Sequence, residues 1–193
     1  MGLTEATHGV TATDWLNASL SALAALRVSV RPEASNSDID FSASLYALTR
    51  DEEMARVDWP EAQKHAFCRQ QFDAQHSHYR QHYPTAELLI IERGAEPVGR
   101  LYFEQTAKEL RLMEITLLTK LRNGGIGVAI ARALLQHAHA AGIPMGLHVE
   151  PFNPARRLYE RLGFRDIETR GLYIYMVSAP PDAATVAAAR ATA

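Results

Sequence analysis

The chain has 193 residues, 47% of them hydrophobic and 22% charged, and a formal charge of −2, which is enough for one good core and too little for two. So small a charge gathers neither nucleic acid nor an anionic membrane, and the lack of any 18-residue apolar run excludes a spanning helix. The single cysteine, Cys68, excludes an internal disulfide and gives no metal-ligand spacing, so a metal-free protein of a reducing, cytoplasmic compartment is expected.

Residues 1–27 read as a helical appendage. Trp15, Leu16, Leu20, Leu23 and Leu26 recur at helical spacing behind Thr13 and Asp14, either of which can cap a helix. Such an amphipathic helix packs on the domain or on the second subunit of a homodimer. Nothing in this segment resembles a secretion signal, and Glu5 and Asp14 do not suit a transit peptide.

The domain proper is expected over residues 28–178. Val28-Ser29-Val30-Arg31 is a brief alternating strand ended by Pro32. Ser35–Leu48 and Pro60–His82 read as helices on either side of the charged segment Thr49–Asp58. Pro60 sits in a first turn, where its missing N–H breaks no helical bond. Leu88–Glu92, Val98–Glu104 and Leu110–Leu118 read as strands, the first two joined by a hairpin turn over Arg93–Pro97. After a glycine-rich stretch, a helix runs over Val128–Ala141 and ends on Gly142. Pro144–Glu150 reads as a strand, Pro154–Leu162 as a short helix ended by Gly163, and Asp166–Val177 as a strand pair turning near Thr169–Gly171. The tail 179–193, rich in alanine and proline, is expected to fray.

The stretch that carries chemistry is strand, glycine turn, helix, with the turn at Arg122-Asn123-Gly124-Gly125-Ile126-Gly127. The first N–H groups of a helix lack internal partners, and the helix dipole adds partial positive charge there, so this arrangement binds phosphate. Gly124, Gly125 and Gly127 permit positive φ and close approach of a diphosphate to the backbone. Arg122 can add a charge-assisted hydrogen bond. The same turn, taken alone, serves equally as a tight connection with no ligand. No Gly-Lys-Ser/Thr ending is present, and Val128, Ala129 and Ile130 follow Gly127, which excludes the nucleotide P-loop and the dinucleotide fingerprint.

A second segment runs His148-Val149-Glu150-Pro151-Phe152-Asn153-Pro154-Ala155-Arg156-Arg157-Leu158-Tyr159-Glu160-Arg161-Leu162-Gly163-Phe164. Together the two segments resemble the GNAT superfamily of acetyl-CoA-dependent N-acetyltransferases. Arg122, Gly125 and Gly127 match that family's R-x-x-G-x-G/A signature. Asn153, Ala155, Leu158, Tyr159, Glu160, Gly163 and Phe164 match its second signature. The close match covers Leu110 to Phe164, and the order β-α-α-β-β-β-α-β-α-β extends it to residues 28–177.

The resemblance implies an α/β (α+β) fold, with a mixed, mostly antiparallel central sheet flanked by helices and a splayed strand pair forming the acetyl-CoA cleft. It implies that backbone N–H groups from Asn123 through Gly124, Gly125, Ile126 and Gly127 to Val128 hold the coenzyme pyrophosphate beside Arg122. Pantetheine would pair with backbone near Ile115 and Leu117, much as an added strand does. Tyr159 would protonate the departing thiolate. Asn153 would touch pantetheine, although it lies six residues before Tyr159 where seven is common in the family. Asn153-Pro154 also reads as a helix N-cap followed by proline.

Attack on a thioester needs a neutral amine, and a free alkylamine is mostly protonated at pH 7, so a base is required. Glu114 is ranked first and His148, on the opposite strand, second. Period-two alternation places Glu114 on one face with Leu112 and Thr116, and His148 on one face with Glu150. The acceptor is expected to be a small-molecule amine or a protein amino group. Asp51, Glu52, Glu53 and Asp58 could attract a cation, though such a run is commonly a solvated loop. His76, His78 and His82 do not make a metal site. The competing reading is a non-catalytic acyl-CoA-binding sensor built on the same fold; retention of Tyr159 favours the enzyme.

Overall fold

The computed structural model describes residues 11–21 and 24–181, so the expectations for residues 1–10, for Leu23 and for the tail from 182 lie outside the described residues. Helix α1, Ala12–Ser21, starts one residue after Thr11. The Thr11 hydroxyl accepts from the Asp14 N–H at 3.2 Å, and the Asp14 carboxylate accepts from the Thr11 N–H at 3.1 Å. This reciprocal box makes Thr11 the cap, in place of Thr13 or Asp14, because it satisfies two free donors at once. Leu16 and Leu20 enter the main core. Asn17 bonds both the N–H and the carbonyl of Val30, at 2.7 and 2.9 Å, and so covers the open edge of strand β1, Val28–Pro32. The helix therefore packs on its own domain.

Helix α2, Asn36–Thr49, is capped by Ser35, whose side chain and that of Asp38 form a second reciprocal box. The charged segment after it contains one helical turn, α3, Asp51–Met54, which buries Met54. Helix α4, Glu61–His82, buries Cys68, Phe72 and His76 at four-residue spacing. Strands β2 (Glu87–Arg93), β3 (Glu96–Gln105) and β4 (Leu110–Leu117) make an antiparallel meander. Helix α5, Ile126–Ala140, β5, Met145–Val149, α6, Arg156–Arg161, and the hairpin of β6, Arg165–Arg170, with β7, Tyr173–Ser178, complete the domain.

Among the described residues, one seven-stranded sheet forms in the order β1-β2-β3-β4-β5-β7-β6, with β4–β5 as its parallel pair. Its first face carries Leu101, Phe103, Leu110, Leu112 and Leu147 against Ile126, Ile130 and Leu134 of α5 and against α1. Its second face carries Ile90, Arg100 and Tyr102 under α2 and α4.

Two irregularities break the regular pairing of β4. The first is a bulge: Tyr102 pairs with Glu114, but Phe103 pairs with Leu112, so Met113 is the extra residue. The expected sharing of a face by Glu114 and Leu112 therefore does not hold. Leu112 stays in the α5 core, while Glu114 and Thr116 turn to the α2/α4 face and bond each other. The second is a splay. Strands β4 and β5 pair only over Leu110–Leu112 and Met145–Leu147. From Met113 to Leu117, β4 keeps β3 on one side and, among the described residues, has no strand on the other, which opens a wedge with an unpaired edge.

Gly99 holds the closed side of that wedge together. A Cβ there would sit 2.5 Å from the Thr116 carbonyl oxygen and 2.7 Å from Leu117 Cδ2. Gly99→Ala should lower stability by about 1–3 kcal/mol, read as a lower urea midpoint at unchanged slope. An unchanged midpoint would mean that β3 and β4 part at no cost.

Candidate active site

The glycine turn closes the narrow top of the strand-to-helix connection. The Leu118 N–H donates to the Val98 carbonyl at 2.9 Å, and a short 3-10 turn over Thr119–Leu121 leads to Arg122. Arg122 Nε donates to the Leu117 carbonyl at 3.2 Å, tying the turn back to the end of β4. Asn123 and Gly125 then take positive φ, 62° and 86°. The asparagine tolerates this region better than most side chains do. Helix α5 then begins at Ile126, two residues earlier than the periodicity indicates. Ala129 is the first residue of α5 whose N–H finds a partner, the Gly125 carbonyl at 2.9 Å. Among the described residues, the N–H groups of Asn123, Gly124, Gly125, Ile126, Gly127 and Val128 have no protein acceptor. No acidic side chain occupies this first turn. Six adjacent free donors at the positive end of a 15-residue helix fit the diphosphate of a coenzyme.

Tyr159 reaches the structure from α6, at 7% exposure, with its ring 5.7 Å from that of Phe164. Burial, and then the negative charge of Glu114, push its phenol up to about 12. It therefore stays protonated through the neutral range and can donate. Glu114, 20% exposed, accepts from the Thr116 hydroxyl through one oxygen and lies 3.5 Å from Arg100 Nη2 through the other. The phenol of Tyr159 thus lies within electrostatic reach of the Glu114 carboxylate.

His148 lies on β5 opposite Tyr175, exposed, with the two rings 4.9 Å apart. Desolvation, and then the charges of Arg170 and Arg111, hold it below its ordinary value, so it is neutral at pH 7. Ile115 packs its side chain toward the α5 core, and Leu117 is buried, each on the β4 stretch that lacks a partner strand on the wedge side. Asn153 is exposed, and its side-chain oxygen accepts from the Ala155 N–H at 2.9 Å. It caps the turn leading to α6, which itself begins only at Arg156, later than the Asn153-Pro154 pair suggests. Asp51, Glu52, Glu53 and Asp58 are exposed, and Glu53 pairs with Arg50 at 2.7 Å. His76 is bound to the buried Glu33 carboxylate at 2.7 Å, whereas the His78 and His82 rings meet edge to face 4.3 Å apart at the surface.

The sequence does not single out two residues that the structure sets against Glu114. Tyr79 faces the sheet from α4; burial, then the Glu114 charge, raise its phenol far above the ordinary value. Arg100, on β3, is 1% exposed. A signal for Arg100 did exist. Val98-Gly99-Arg100-Leu101-Tyr102-Phe103 is apolar on both alternations apart from this arginine, the pattern of a strand covered on both faces.

The family model described as the acetyltransferase (GNAT) family matches residues 45–164. No curated protein matches the chain significantly. Solved structures share its fold. The PaiA N-acetyltransferase of Thermoplasma acidophilum, solved in complex with coenzyme A, superposes with a TM-score of 0.60 at 16% identity, over 79% of this chain and 98% of that one. Ard1 of Thermoplasma volcanium gives 0.55 at 16% identity, over 81% and 99%. An acetyltransferase of Thermus thermophilus gives 0.54 at 18% identity, over 80% and 97%.

Proposed function

This chain belongs to the acetyltransferase (GNAT) family, and on that premise we propose that it moves the acetyl group of acetyl-CoA to a primary amine by direct attack. The observation that carries this reading is the combination of three features: six N–H groups from Asn123 to Val128 that are free among the described residues, a β4 edge from Met113 to Leu117 left unpaired by β5, and a protonated Tyr159 within electrostatic reach of Glu114.

Acetyl-CoA supplies the acetyl thioester. The turn from Asn123 to Val128 binds its diphosphate through backbone donors, with Arg122 alongside as a cation. The edge of β4 near Ile115 and Leu117 offers backbone partners to the pantetheine amides. Glu114 takes the proton of the attacking amine, directly or through water. Tyr159 gives its phenolic proton to the sulfur as the C–S bond breaks, so no free thiolate is released. His148, neutral at pH 7, is the second proton acceptor. The acceptor enters from the α2/α4 side, where Tyr79 borders Glu114, and is a small-molecule amine or a protein amino group of the same compartment.

The deciding experiment is a screen of amines, amino acids, aminoglycosides and peptides read as free thiol. At least one acceptor should raise thiol release far above the rate without acceptor. Tight coenzyme binding with no responsive acceptor would favour a sensor instead. With a responsive acceptor, Glu114→Gln should lower kcat/KM at neutral pH and recover part of the loss at high pH, where more amine is already neutral. His148→Ala should have the smaller effect. The reverse ranking in paired pH–rate profiles would make His148 the base.

A further inference from the structure

Arg100 is an expensive residue for the fold to keep. Its guanidinium is buried under α2 and α4, yet Nε and Nη1 have no hydrogen-bond partner among the described residues. The remaining nitrogen, Nη2, makes a long bond of 3.3 Å to Gln75 Oε1 and approaches Glu114 Oε2 at 3.5 Å. The rings of Tyr102, Phe72 and Tyr46 surround it at 5.2, 5.4 and 6.0 Å, and offer only their π faces. Buried donors without acceptors are destabilising, and buried ion pairs are often replaced by apolar side chains at no loss of stability. A residue that serves the fold this poorly calls for another reason to be there.

The reason lies in what it approaches. Glu114 accepts from the Thr116 hydroxyl at one oxygen and has the Arg100 cation 3.5 Å from the other, so both carboxylate oxygens have a partner that favours one orientation. The bulge at Met113 turns Glu114 onto this face, and Arg100 stands there to meet it, two residues along β3 from Tyr102, the cross-strand partner of Glu114. The other titratable groups facing Glu114 are the tyrosines Tyr79 and Tyr159, which hold their protons at neutral pH; among these neighbours Arg100 is the cation.

We propose that Arg100 is a positioning residue for this reaction, a buried cation that fixes the Glu114 carboxylate at the thioester end of the wedge. The proposal rests on the assignment of Glu114 as proton acceptor. Its test uses the full chain with a responsive acceptor and four variants: Arg100→Met, Arg100→Lys, Glu114→Gln, and Arg100→Met with Glu114→Gln.

Arg100→Met should melt at the wild-type temperature or above, because the orphan donors are gone and Glu114 retains solvent contact. Its kcat should fall at least tenfold, with the KM for acetyl-CoA unchanged, and Arg100→Lys should recover part of that loss. In the Glu114→Gln background the same substitution should cost almost nothing, since Arg100 acts through Glu114. Independent, multiplying losses would overturn the proposal, as would a lowered melting temperature with full activity per folded molecule. Wild-type activity in Glu114→Gln would remove the premise, whereas an impaired Glu114→Gln beside an unimpaired Arg100→Met would sink this inference alone.

Discussion

Tyr159→Phe is expected to lower turnover by roughly 10²–10⁴-fold, the usual worth of a positioned general acid, while leaving coenzyme affinity and folding intact. The phenylalanine keeps the ring that packs against Phe164 and the buried surface that joins α6 to the core. Only the hydroxyl is lost. No hydrogen bond from that hydroxyl to a described residue accompanies the fold, so its removal strands no partner. With the phenol pushed up to about 12 by burial and then by the Glu114 charge, the wild-type residue remains a donor across the neutral range. Steady-state free-thiol release and a thermal melt check both halves. A wild-type turnover rate would mean that water or another group protonates the sulfur.

Gly127→Asp should abolish tight coenzyme binding without harming the protein. Gly127 has no positive φ, and a Cβ built on it meets nothing within 4 Å. Gly125, by contrast, sits at φ 86°, where any side chain strains the backbone, so a substitution there would confuse folding with binding. An aspartate in the first turn of α5 is favourable to the helix by about 0.3–1 kcal/mol. The same carboxylate faces a diphosphate at close range, and like charges at about 4 Å repel by about 4 kcal/mol at an effective dielectric constant of 20. After salt screening, a loss of affinity on the order of 10²-fold is expected. The melting temperature of the free variant should be equal to or above that of the wild type. Lost binding with a lowered melting temperature would point to damage in place of repulsion.

The periodic elements were legible because each carries its own signal. The strand pair around Arg93–Pro97 and the glycine after α5 stand where local chemistry places them, whereas Pro60, expected in the first turn of α4, is its non-helical N-cap, with ψ 144°. The glycine turn was legible as a tight strand-to-helix connection because its asparagine and glycines supply the positive φ that such a turn needs. The bulge at Met113 was not. Leu110-Arg111-Leu112-Met113-Glu114-Ile115-Thr116-Leu117 contains no glycine or proline to mark a break, and an unbroken alternation puts Glu114 with Leu112. What decides it is tertiary: Ile115 and Leu117 must reach the α5 core on the same side as Leu110 and Leu112, and only an extra residue restores that phase. Thr11 was missed as the cap of α1 because Thr13 and Asp14 are equally good residue types. The choice falls to Thr11 because its hydroxyl and the Asp14 carboxylate satisfy each other's backbone. Arg100 was hidden by a rule of thumb that sends arginine to solvent, and its burial depends on α2 and α4 covering that face.

The proposed reaction stands or falls with the free backbone donors after β4 as the diphosphate seat. Amide resonances of isotope-labelled protein, followed while coenzyme A is added, address that role atom by atom. The N–H signals of Asn123, Gly124, Gly125, Ile126, Gly127 and Val128 should move together, saturating at one coenzyme per chain, while those of α1 hold still. Coenzyme A binding that leaves these six amides unmoved and shifts residues elsewhere would contradict the assignment.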